Sequence, residues 1–336
     1  MPFSGNWNQE TLETHLESPS GRYQVTSRLE QRPRPAVRRS SKQQVLIVIC
    51  AYNEARTLPD LLEALGQTDV LVVDDGSSDG TGRLAEMEGA IVLTHWRRMG
   101  KAASLQDAID YALDNGYGTV VEMGADSVPG KGSIEKLITS MDSPAVGGAS
   151  VRQIPVGRKS TSYYIDELIW SVLAQGKLLQ MVRHGTSHLG GVMYAFKPEC
   201  VSSVEGSVND DEHLSVCIKR KGYKSVFVPN AVVYFDASSS IGHILQRRRR
   251  MYFGHMVYPD STAPSMEIGI AASALLRSLA EKPSRLPWML PAVLLDLFSR
   301  MCAWRDARSP KKIGEYAMWV TTFEKNVASS AARSHR

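Results

Sequence analysis

Residues 45–54, VLIVICAYNE, and residues 70–81, VLVVDDGSSDGT, decide the fold class of this chain. Each stretch begins with a β-branched apolar run of strand length and ends in polar residues. Two further apolar runs, Ala90–Leu93 and Thr119–Met123, lie on either side of a helical pattern over Ala102–Asn115. This alternation of short strands and helices predicts an α/β fold in which a mostly parallel mixed sheet is flanked by helices.

Polar residues follow the predicted strands at their carboxyl ends, where sheets of this kind bind ligands. The first strand ends in Ala51–Glu54 (AYNE) and the second in Asp74–Thr81 (DDGSSDGT). Their carboxylate and amide groups suit hydrogen bonds to a base and a ribose, but Asp, Ser and Gly also favour simple turns. Both interpretations are open from the residues alone.

A calcium-binding loop is a competing interpretation of the second motif. The segment Asp75–Glu86 has oxygen-bearing residues at the first, third and fifth positions of an EF-hand loop, Gly80 at the sixth and a glutamate at the twelfth. The loop follows a predicted strand instead of a helix, and Gly82 occupies the eighth position, which is usually apolar. Both departures count against calcium.

Two more acidic segments are candidate sites. Asp126 follows the fourth predicted strand, and Mg²⁺ typically takes one or two carboxylates together with substrate phosphates. A capped turn before Pro129 explains the same residue. Asn209–His213 (NDDEH) begins a predicted helix, where acidic residues suit the helix dipole. One of these groups, held in a cleft, is also a candidate general base.

Histidine and arginine residues give weaker signals. His184 and His188 are four residues apart, but Gly185 between them favours a substrate-lining loop over a metal-binding helix face. The run Arg247–Arg250 is followed at once by apolar residues. It fits a nucleic-acid patch or a solvated helix face, and we favour a half-buried segment whose arginines face phosphate oxygens.

Composition and charge narrow the class of protein. A net charge of +4 on 336 residues is too small to indicate nucleic-acid binding. The polar residues 1–43 predict a disordered tail without a secretory leader. No uncharged apolar stretch is long enough to predict a transmembrane helix. We therefore expect a cytoplasmic protein. Four cysteines without C-x-x-C spacing predict reduced thiols: Cys50, Cys200, Cys217 and Cys302.

Taken in order, six motifs resemble glycosyltransferase family 2, whose members have the GT-A fold. The resemblance covers residues 44–258 and leaves 259–336 as a helical C-terminal extension. The matching motifs are Tyr52-Asn53-Glu54, Asp74–Thr81, Gly100-Lys101, Asp126 of a D-x-D element, Asp210-Asp211 followed by Leu214-Ser215 and Lys221-Gly222-Tyr223, and an arginine motif within Gln246–Gly254.

The resemblance implies roles for individual residues. Asp211 would be the catalytic base, and Asp126 would bind a divalent cation, Mg²⁺ or Mn²⁺. His188, Gly190 and Gly191 would lie on the acceptor side. The residues that would bind the donor are Ala51, Tyr52, Glu54, Asp74, Asp75, Lys101, Arg249 and Arg250.

Three departures from the family pattern affect these roles. Gly124 replaces the first Asp of D-x-D, so metal binding depends on one carboxylate. Asp210 stands where the family has Glu. The Trp after the arginine motif is absent, with Met251 or Arg250 in its place, which favours the addition of a single sugar.

The segment 286–304 predicts a helix with one broad apolar face. Packing of that face on the core is the commoner outcome, and burial in a membrane interface is the other. We favour peripheral membrane attachment, because Trp319-Val320-Thr321-Thr322 also resembles the ending of membrane-linked family members. The apolar face holds Leu290, Val293, Leu294, Leu297, Phe298, Met301 and Trp304, and the opposite face holds Asp296, Ser299, Arg300 and Ala303.

The resemblance implies an inverting glycosyltransferase that moves a sugar from a nucleoside-diphosphate sugar, most commonly a UDP sugar, to a hydroxyl group. The acceptor would be lipid-linked, a saccharide or a small molecule, and no nucleic acid is involved. The location would be cytoplasmic, with peripheral attachment to the cytoplasmic face of a membrane. The alternatives are a catalytically weakened nucleotide-sugar-binding relative and a calcium-binding interaction module.

Overall fold

The computed structural model describes residues 16–17, 23–26, 44–66, 68–257 and 267–309. Within these ranges the chain forms one mixed ten-stranded sheet and nine α-helices. The predicted α/β class, with a mixed sheet flanked by helices and a helical C-terminal extension, is confirmed.

The sheet has the strand order β1-β2-β5-β4-β3-β6-β9-β8-β10-β7. Parallel pairing occurs within β5-β4-β3-β6 and between β8 and β10, and the other pairs are antiparallel. The strands are β1 Leu16–Glu17, β2 Tyr23–Thr26, β3 Val45–Ala51, β4 Val70–Asp74, β5 Ile91–His95, β6 Thr119–Met123, β7 Ser127–Pro129, β8 Val146–Val156, β9 Met193–Phe196 and β10 Lys224–Asp236.

The helices cover both faces of this sheet. Alternate residues of β3 enter two separate apolar cores, because successive side chains of a strand point to opposite faces. The helices are α1 Leu58–Leu65, α2 Thr81–Met87, α3 Lys101–Asp114, α4 Ser133–Ser140, α5 Thr161–His184, α6 Asp210–Arg220, α7 Ile241–Val257, α8 Ile268–Glu281 and α9 Leu286–Asp306.

The register of the central strands sets the position of the candidate site. Ala51, the last residue of β3, pairs with Asp74, the last residue of β4. On the other side of β3, Val48 pairs with Glu122 of β6. The loops that follow β3, β4 and β6 therefore begin at one edge of the sheet, as the sequence predicts.

The expected disordered tail over residues 1–43 is wrong where two strands form. β2 pairs antiparallel with β5 and extends the sheet beyond its parallel half, and β1 pairs with β2. A strand that would otherwise lie at the edge gains backbone partners in this way. The other residues of that tail, and Trp319–Thr322, lie outside the described residues.

Helix α9 forms where the sequence predicts it, but it buries its polar face, whereas a core-packed helix would bury its apolar face. Its buried residues are Ala292, Ser299, Ala303 and Asp306. The large apolar residues of the other face are exposed, from 39% at Val293 to 61% at Leu290. The polar face packs inward because carboxylates on it pair with arginines of α7.

Candidate active site

The Asp74–Asp75 pair accepts hydrogen bonds from backbone N–H groups of two loops. Asp74 accepts hydrogen bonds from the N–H groups of Ser77 at 3.0 Å and Gly82 at 3.2 Å. Asp75 accepts from the N–H groups of Met99 at 2.6 Å and Gly100 at 2.8 Å. Both side chains are buried. This pair therefore fixes the loop after β4 against the loop after β5.

His95 joins Asp75 to a second buried carboxylate. Its two ring nitrogens lie 2.8 Å from Asp75 Oδ1 and 2.8 Å from Asp107 Oδ2. Burial alone would lower the pKa of His95, but the hydrogen bonds to Asp107 and Asp75 outweigh it and raise the pKa from 6.5 to about 9. His95 is therefore a cation at neutral pH, with both ring nitrogens donating.

The residues after β3 form one wall of the same edge. The Asp75 N–H donates to the Ala51 carbonyl at 2.8 Å, and the Arg98 guanidinium lies 4.1 Å from the centre of the Tyr52 ring. Glu54 Oε2 accepts a hydrogen bond from the Thr57 hydroxyl at 2.8 Å. These expected donor-binding residues thus lie together with the Asp74–Asp75 loop.

The calcium-binding interpretation is wrong for the loop that begins at Asp75. Its candidate oxygens bind the chain itself: Ser77 Oγ accepts the Asn53 N–H at 2.9 Å, and Asp79 Oδ2 accepts the Ala55 N–H at 3.1 Å. Within the described residues, no group of three or more His, Cys, Asp or Glu side chains is arranged to hold a metal ion.

A second acidic pair, Asp210–Asp211, lies at the start of α6 in a buried charge cluster. Lys101 Nζ, at the start of α3, lies 2.9 Å from Asp210 Oδ2 and 3.2 Å from Glu122 Oε1. The Tyr194 hydroxyl donates to Asp210 Oδ2 at 3.0 Å. The structure therefore brings three separate parts of the chain to this pair.

Burial and neighbouring charges give the two carboxyl groups of the pair pKa shifts in opposite directions. Burial would raise the pKa of Asp210, but Lys101 outweighs it, so that pKa is lowered. Burial and the neighbouring Asp210 charge raise the pKa of Asp211. Asp210 is therefore held as the anion that pairs with Lys101, and Asp211 is the more basic group, the property expected of a general base.

Asp211 contacts the glycine turn before β9. Its Oδ2 accepts the Gly191 N–H at 3.2 Å, and its Oδ1 accepts the Glu212 N–H at 2.8 Å. Gly190 and Gly191 have φ values of 140° and 110°, which L side chains rarely adopt. The predicted base and two predicted acceptor-side residues are thus in direct contact or adjacent.

His184 and His188 do not share a metal site. His188 Nδ1 lies 3.2 Å from Gln180 Oε1, and His184 Nε2 lies 3.3 Å from Glu267 Oε1. Burial, with Lys177 and His255 nearby, lowers the pKa of His188 to about 3, so its ring is neutral. Both residues line a cleft of about 290 Å³.

The four consecutive arginines do not face one anion. Arg247 pairs with Asp166 of α5, and Arg248 pairs with Asp296 of α9. Arg249 Nη2 lies 2.6 Å from Asp306 Oδ1, also in α9. Each residue of a helix turns the side chain by about 100°, so neighbours reach different elements. The expectation that the run gathers around phosphate is therefore wrong for the run as a whole.

Arg250 is the arginine of this run that lies at the acidic pair. Its Nη2 donates to the Val208 carbonyl at 2.8 Å, just before α6. Burial lowers the pKa of Arg250, and the charges of Asp210 and Asp211 oppose that shift. The structure thus brings Arg250 to the predicted base, and it does not bring Arg249 there.

Asp126 offers one carboxylate as a ligand for a divalent cation. Its side chain is exposed, and the Gly124 N–H donates to the Val192 carbonyl at 2.9 Å, so this loop lies beside the glycine turn. The other nearby carboxylates, Glu122 and Asp210, are engaged by Lys101. A single carboxylate suits a cation whose remaining ligands are donor phosphates and water.

Sequence reasoning missed Glu122, Tyr194 and His95. Burial, with Asp210 nearby, raises the pKa of Glu122 to about 7 although Lys101 opposes the shift. Glu122 did carry a signal, because it interrupts an apolar strand. Tyr194 and His95 look like ordinary strand residues, and the partners that give them roles are 16 and 12 residues away.

A family model described as Glycosyl transferase family 2 matches residues 46–202. The matched segment includes Lys101, Asp126 and the glycine turn. It ends before the Asp210–Asp211 pair and the arginine run.

Two relatives are similar over part of the chain. A polyprenol monophosphomannose synthase of Mycolicibacterium smegmatis is 33% identical over 125 residues, which are 34% of this chain and 47% of the relative. An undecaprenyl-phosphate mannosyltransferase of Micrococcus luteus is 33% identical over 135 residues, which are 35% of this chain and 56% of the relative. The chain thus spans about half the length of these relatives.

One similar solved structure is that of glucosyl-3-phosphoglycerate synthase from Mycobacterium tuberculosis in complex with phosphoglyceric acid. It has a TM-score of 0.43 and 16% identity, over 62% of this chain and 77% of that chain.

Proposed function

Because this chain belongs to glycosyltransferase family 2, we propose that it is an inverting enzyme that moves a sugar from a nucleoside-diphosphate sugar to an acceptor hydroxyl. A UDP sugar is the first candidate donor. The acceptor is a lipid-linked, saccharide or small hydroxyl compound. The single observation that carries this proposal is the polarised Asp210–Asp211 pair, in which one carboxylate is bound by Lys101 and the other lies at the glycine turn.

The proposed reaction is one displacement at the anomeric carbon. The acceptor oxygen forms a bond to that carbon from the face opposite the diphosphate, while the bond from the carbon to the leaving oxygen breaks. The electron pair departs with the diphosphate, and the hydroxyl proton moves to Asp211. The raised pKa of Asp211 supports this role, because a more basic carboxylate accepts a proton more readily.

Cations of the site would oppose the charge that develops on the leaving group. Lys101 and Arg250 lie within the cluster, and two opposite charges about 4 Å apart are worth roughly 4 kcal/mol at an effective dielectric constant near 20. Asp126 would hold a divalent cation, Mg²⁺ or Mn²⁺, which when bound supplies further charge stabilisation to the diphosphate. Arg249 stays a proposed donor contact only if its pair with Asp306 opens.

A polyprenyl phosphate is a second candidate acceptor, favoured by the names of the two mannosyl-transferring relatives. Its nucleophile is a phosphate oxygen. A phosphate monoester has its second pKa near about 6, so it is already anionic at neutral pH and needs no base. The two acceptor classes therefore make different demands on Asp211.

A donor screen followed by a transfer assay tests the proposal. The purified chain is heated with uridine, guanosine and other nucleoside-diphosphate sugars, with and without Mn²⁺ or Mg²⁺, and the stabilising donors are then assayed with hydroxyl and polyprenyl-phosphate acceptors. Donor binding without transfer to any acceptor would favour the weakened, nucleotide-sugar-binding relative. Absence of both binding and transfer would reject the proposal.

The Asp211→Asn variant separates the two acceptor classes. With a hydroxyl acceptor, transfer should fall about 10²–10⁴-fold, because the group that takes the proton is gone. With a phosphate acceptor, most of the transfer should remain. Donor binding should change little in either case. Asp114→Asn, at an exposed position at the end of α3, is the matched control and should behave as the wild type.

Peripheral attachment to a membrane completes the proposal. Among the described residues, Pro283–Asp306 alone is long and apolar enough to cross a membrane, yet its polar face is used inside the protein by the pairs with Arg248 and Arg249. The exposed face includes Leu294 at 56%, Leu297 at 57% and Phe298 at 48% exposure. An interfacial helix, buried along one side, fits both observations.

Flotation with vesicles tests this attachment. The wild type should float with vesicles of phosphatidylcholine and phosphatidylglycerol, and the double variant Leu294→Glu with Leu297→Glu should not. Leu113→Glu, at a leucine of α3 that is 45% exposed, controls for the loss of an exposed leucine. Equal flotation of the double variant and this control would contradict the interfacial role of α9.

A further inference from the structure

Lys177 is a buried lysine that the reaction described above does not use. It lies in α5 and is only 5% exposed. No carboxylate of the described residues lies within salt-bridge distance of its Nζ. A buried ammonium group is costly unless its N–H groups are satisfied. Its position therefore calls for specific partners.

The partners of Lys177 are oxygens beside the glycine turn. Its Nζ donates to the Gly190 carbonyl at 3.0 Å and to Ser150 Oγ at 3.3 Å. Gln153 of β8 donates its Nε2 to the same Gly190 carbonyl at 2.6 Å. One carbonyl oxygen thus accepts from a buried cation and a buried amide.

The Gly190 carbonyl and the Gly191 N–H belong to the same peptide group. That N–H donates to Asp211 Oδ2 at 3.2 Å. Because the peptide group is planar, fixing its oxygen also fixes the direction of its N–H. Hydrogen bonds on both ends of a peptide polarise it in the same sense, which strengthens the bond to the carboxylate.

The turn accepts no side chain at its second glycine. A Cβ at Gly191 would lie 1.7 Å from Gln153 Nε2, and the φ of 110° is itself unfavourable for other residues. At Gly190 a Cβ would lie 3.0 Å from Asp211 Oδ2. The close approach of Gln153 to Gly191, and of Asp211 to Gly190, depends on the absence of side chains at these two positions.

We propose that Lys177 and Gln153 are positioning residues for Asp211, which they act on through the peptide between Gly190 and Gly191. They hold that peptide by its oxygen so that its N–H faces the carboxylate, and Lys177 adds a positive charge that favours the anionic form. This inference rests on the proposed role of Asp211 as the base in sugar transfer.

The charges around Asp211 agree with this arrangement. Asp210 beside it disfavours its ionisation, whereas Lys101, the Gly191 N–H and Lys177 favour it, and Arg250 of α7 faces the same pair. Burial lowers the pKa of Lys177 to about 8, and Asp211 opposes that shift. Lys177 is therefore still largely protonated at neutral pH.

Removal of the Lys177 charge tests the inference. In Lys177→Met, kcat should fall about tenfold to a hundredfold, because a displaced catalytic group costs that much, while the donor KM stays within about threefold. The acid limb of the pH profile of kcat should move to higher pH, since the lost cation raises the pKa of Asp211. Arg183→Met, which removes an exposed charge from the same helix, is the matched control and should change neither value.

Two further variants separate the hydrogen bonds from the charge. Lys177→Gln keeps a donor near the Gly190 carbonyl without the charge, so it should lose less kcat than Lys177→Met but shift the acid limb equally. Gln153→Met removes one neutral donor and should lower kcat about threefold to tenfold without moving the acid limb. If Lys177→Met does not fold, Lys177→Gln carries the test.

A titration without substrate distinguishes failure of the inference from failure of the proposed function. The ¹³C carboxyl signal of Asp211 is assigned by its absence in Asp211→Asn. Its midpoint should lie at least about half a pH unit higher in Lys177→Met or Lys177→Gln than in Arg183→Met. Equal midpoints overturn the inference even when the wild type transfers sugar. A wild type that transfers no sugar overturns the proposed function, and the titration still decides the role of Lys177.

Discussion

The two aspartate pairs of this chain, Asp74–Asp75 and Asp210–Asp211, have the same residues and are used in different ways. Backbone N–H groups of two loops bind the first pair, and the His95 imidazolium also pairs with Asp75. Charged side chains from distant parts of the chain surround the second pair. Burial would raise the pKa of Asp210, but Lys101 lowers it, whereas burial and the Asp210 charge raise the pKa of Asp211.

The difference comes from what each pair follows in the fold. Asp74 and Asp75 lie at the end of a parallel strand, where the next turn presents N–H groups to Asp74 and the loop after β5 presents them to Asp75. Asp210 and Asp211 begin α6, next to Lys101 at the start of α3. Bonds to N–H groups fix loop geometry, and uneven charge makes one carboxyl group more basic than its neighbour. We therefore expect the first pair to shape the donor side and the second pair to control proton transfer.

The largest effect should come from Asp210→Asn. Lys101 would keep only Glu122 as an ionic partner, so the free energy of unfolding should fall by about 3 kcal/mol. The pKa of Asp211 should fall as well, because the neighbouring negative charge that raises it is gone. Denaturant unfolding and the pH profile of kcat measure the two effects. An acid limb at the same or a higher pH than in the wild type would contradict the polarised pair.

His95→Gln should give the next largest effect, through the first pair. The folded pKa of His95 is raised from 6.5 to about 9, so its stabilising contribution is complete below about pH 6.5 and is lost as the pH rises through about 9. This shift corresponds to a free energy of about 3 kcal/mol. Denaturant unfolding of both proteins at about pH 6 and about pH 9.5 measures it.

The outcome for His95 has a clear opposite. A stability difference between the wild type and His95→Gln that is the same at both pH values would show that His95 is not an imidazolium between Asp75 and Asp107. The companion variant Asp107→Asn removes one of the two carboxylates. Its loss of stability with rising pH should therefore be smaller than in the wild type and be complete at a lower pH.

Gly82→Ala should have the smallest effect. A Cβ at Gly82 would lie 2.6 Å from Asp74 Oδ2, so the carboxylate must move and one loop hydrogen bond weakens. We expect a loss of about 1 kcal/mol in the free energy of unfolding and a higher donor KM. Gly269→Ala, in α8 with no atom within 4 Å of its added Cβ, should be neutral or stabilising. Equal effects of the two substitutions would show that Asp74 does not depend on this contact.

Much of the fold followed from patterns that are local in the sequence. The apolar runs at residues 45–51 and 70–74 predicted strands because a run of that length and β-branching suits little else. Because both are parallel strands, their polar ends had to meet at one edge, and the Asp74–Asp75 loop is there. The antiparallel β9 between β6 and β8 was not predictable, since pairing direction depends on the path of the chain between strands.

The arginine run shows why the candidate site was only partly predictable. Four adjacent arginines look like one positive patch in the sequence, but a helix spreads adjacent side chains around its axis. Their carboxylate partners Asp166, Asp296 and Asp306 lie 81, 48 and 57 residues away in the chain. No local pattern indicates such pairs, and they leave Arg250 at the acidic cluster.

The sequence by itself determined the α/β class, the sheet edge that carries the polar loops and the residue types available for chemistry, because these depend on short-range periodicity and on strand ends. Only the tertiary structure decided how charge is shared between Asp210 and Asp211, which arginine reaches them, that Lys177 contacts the glycine turn, and which face of α9 is exposed. Each of these depends on distances between side chains that are far apart in the chain, and electrostatic energy follows distance and burial, not sequence separation.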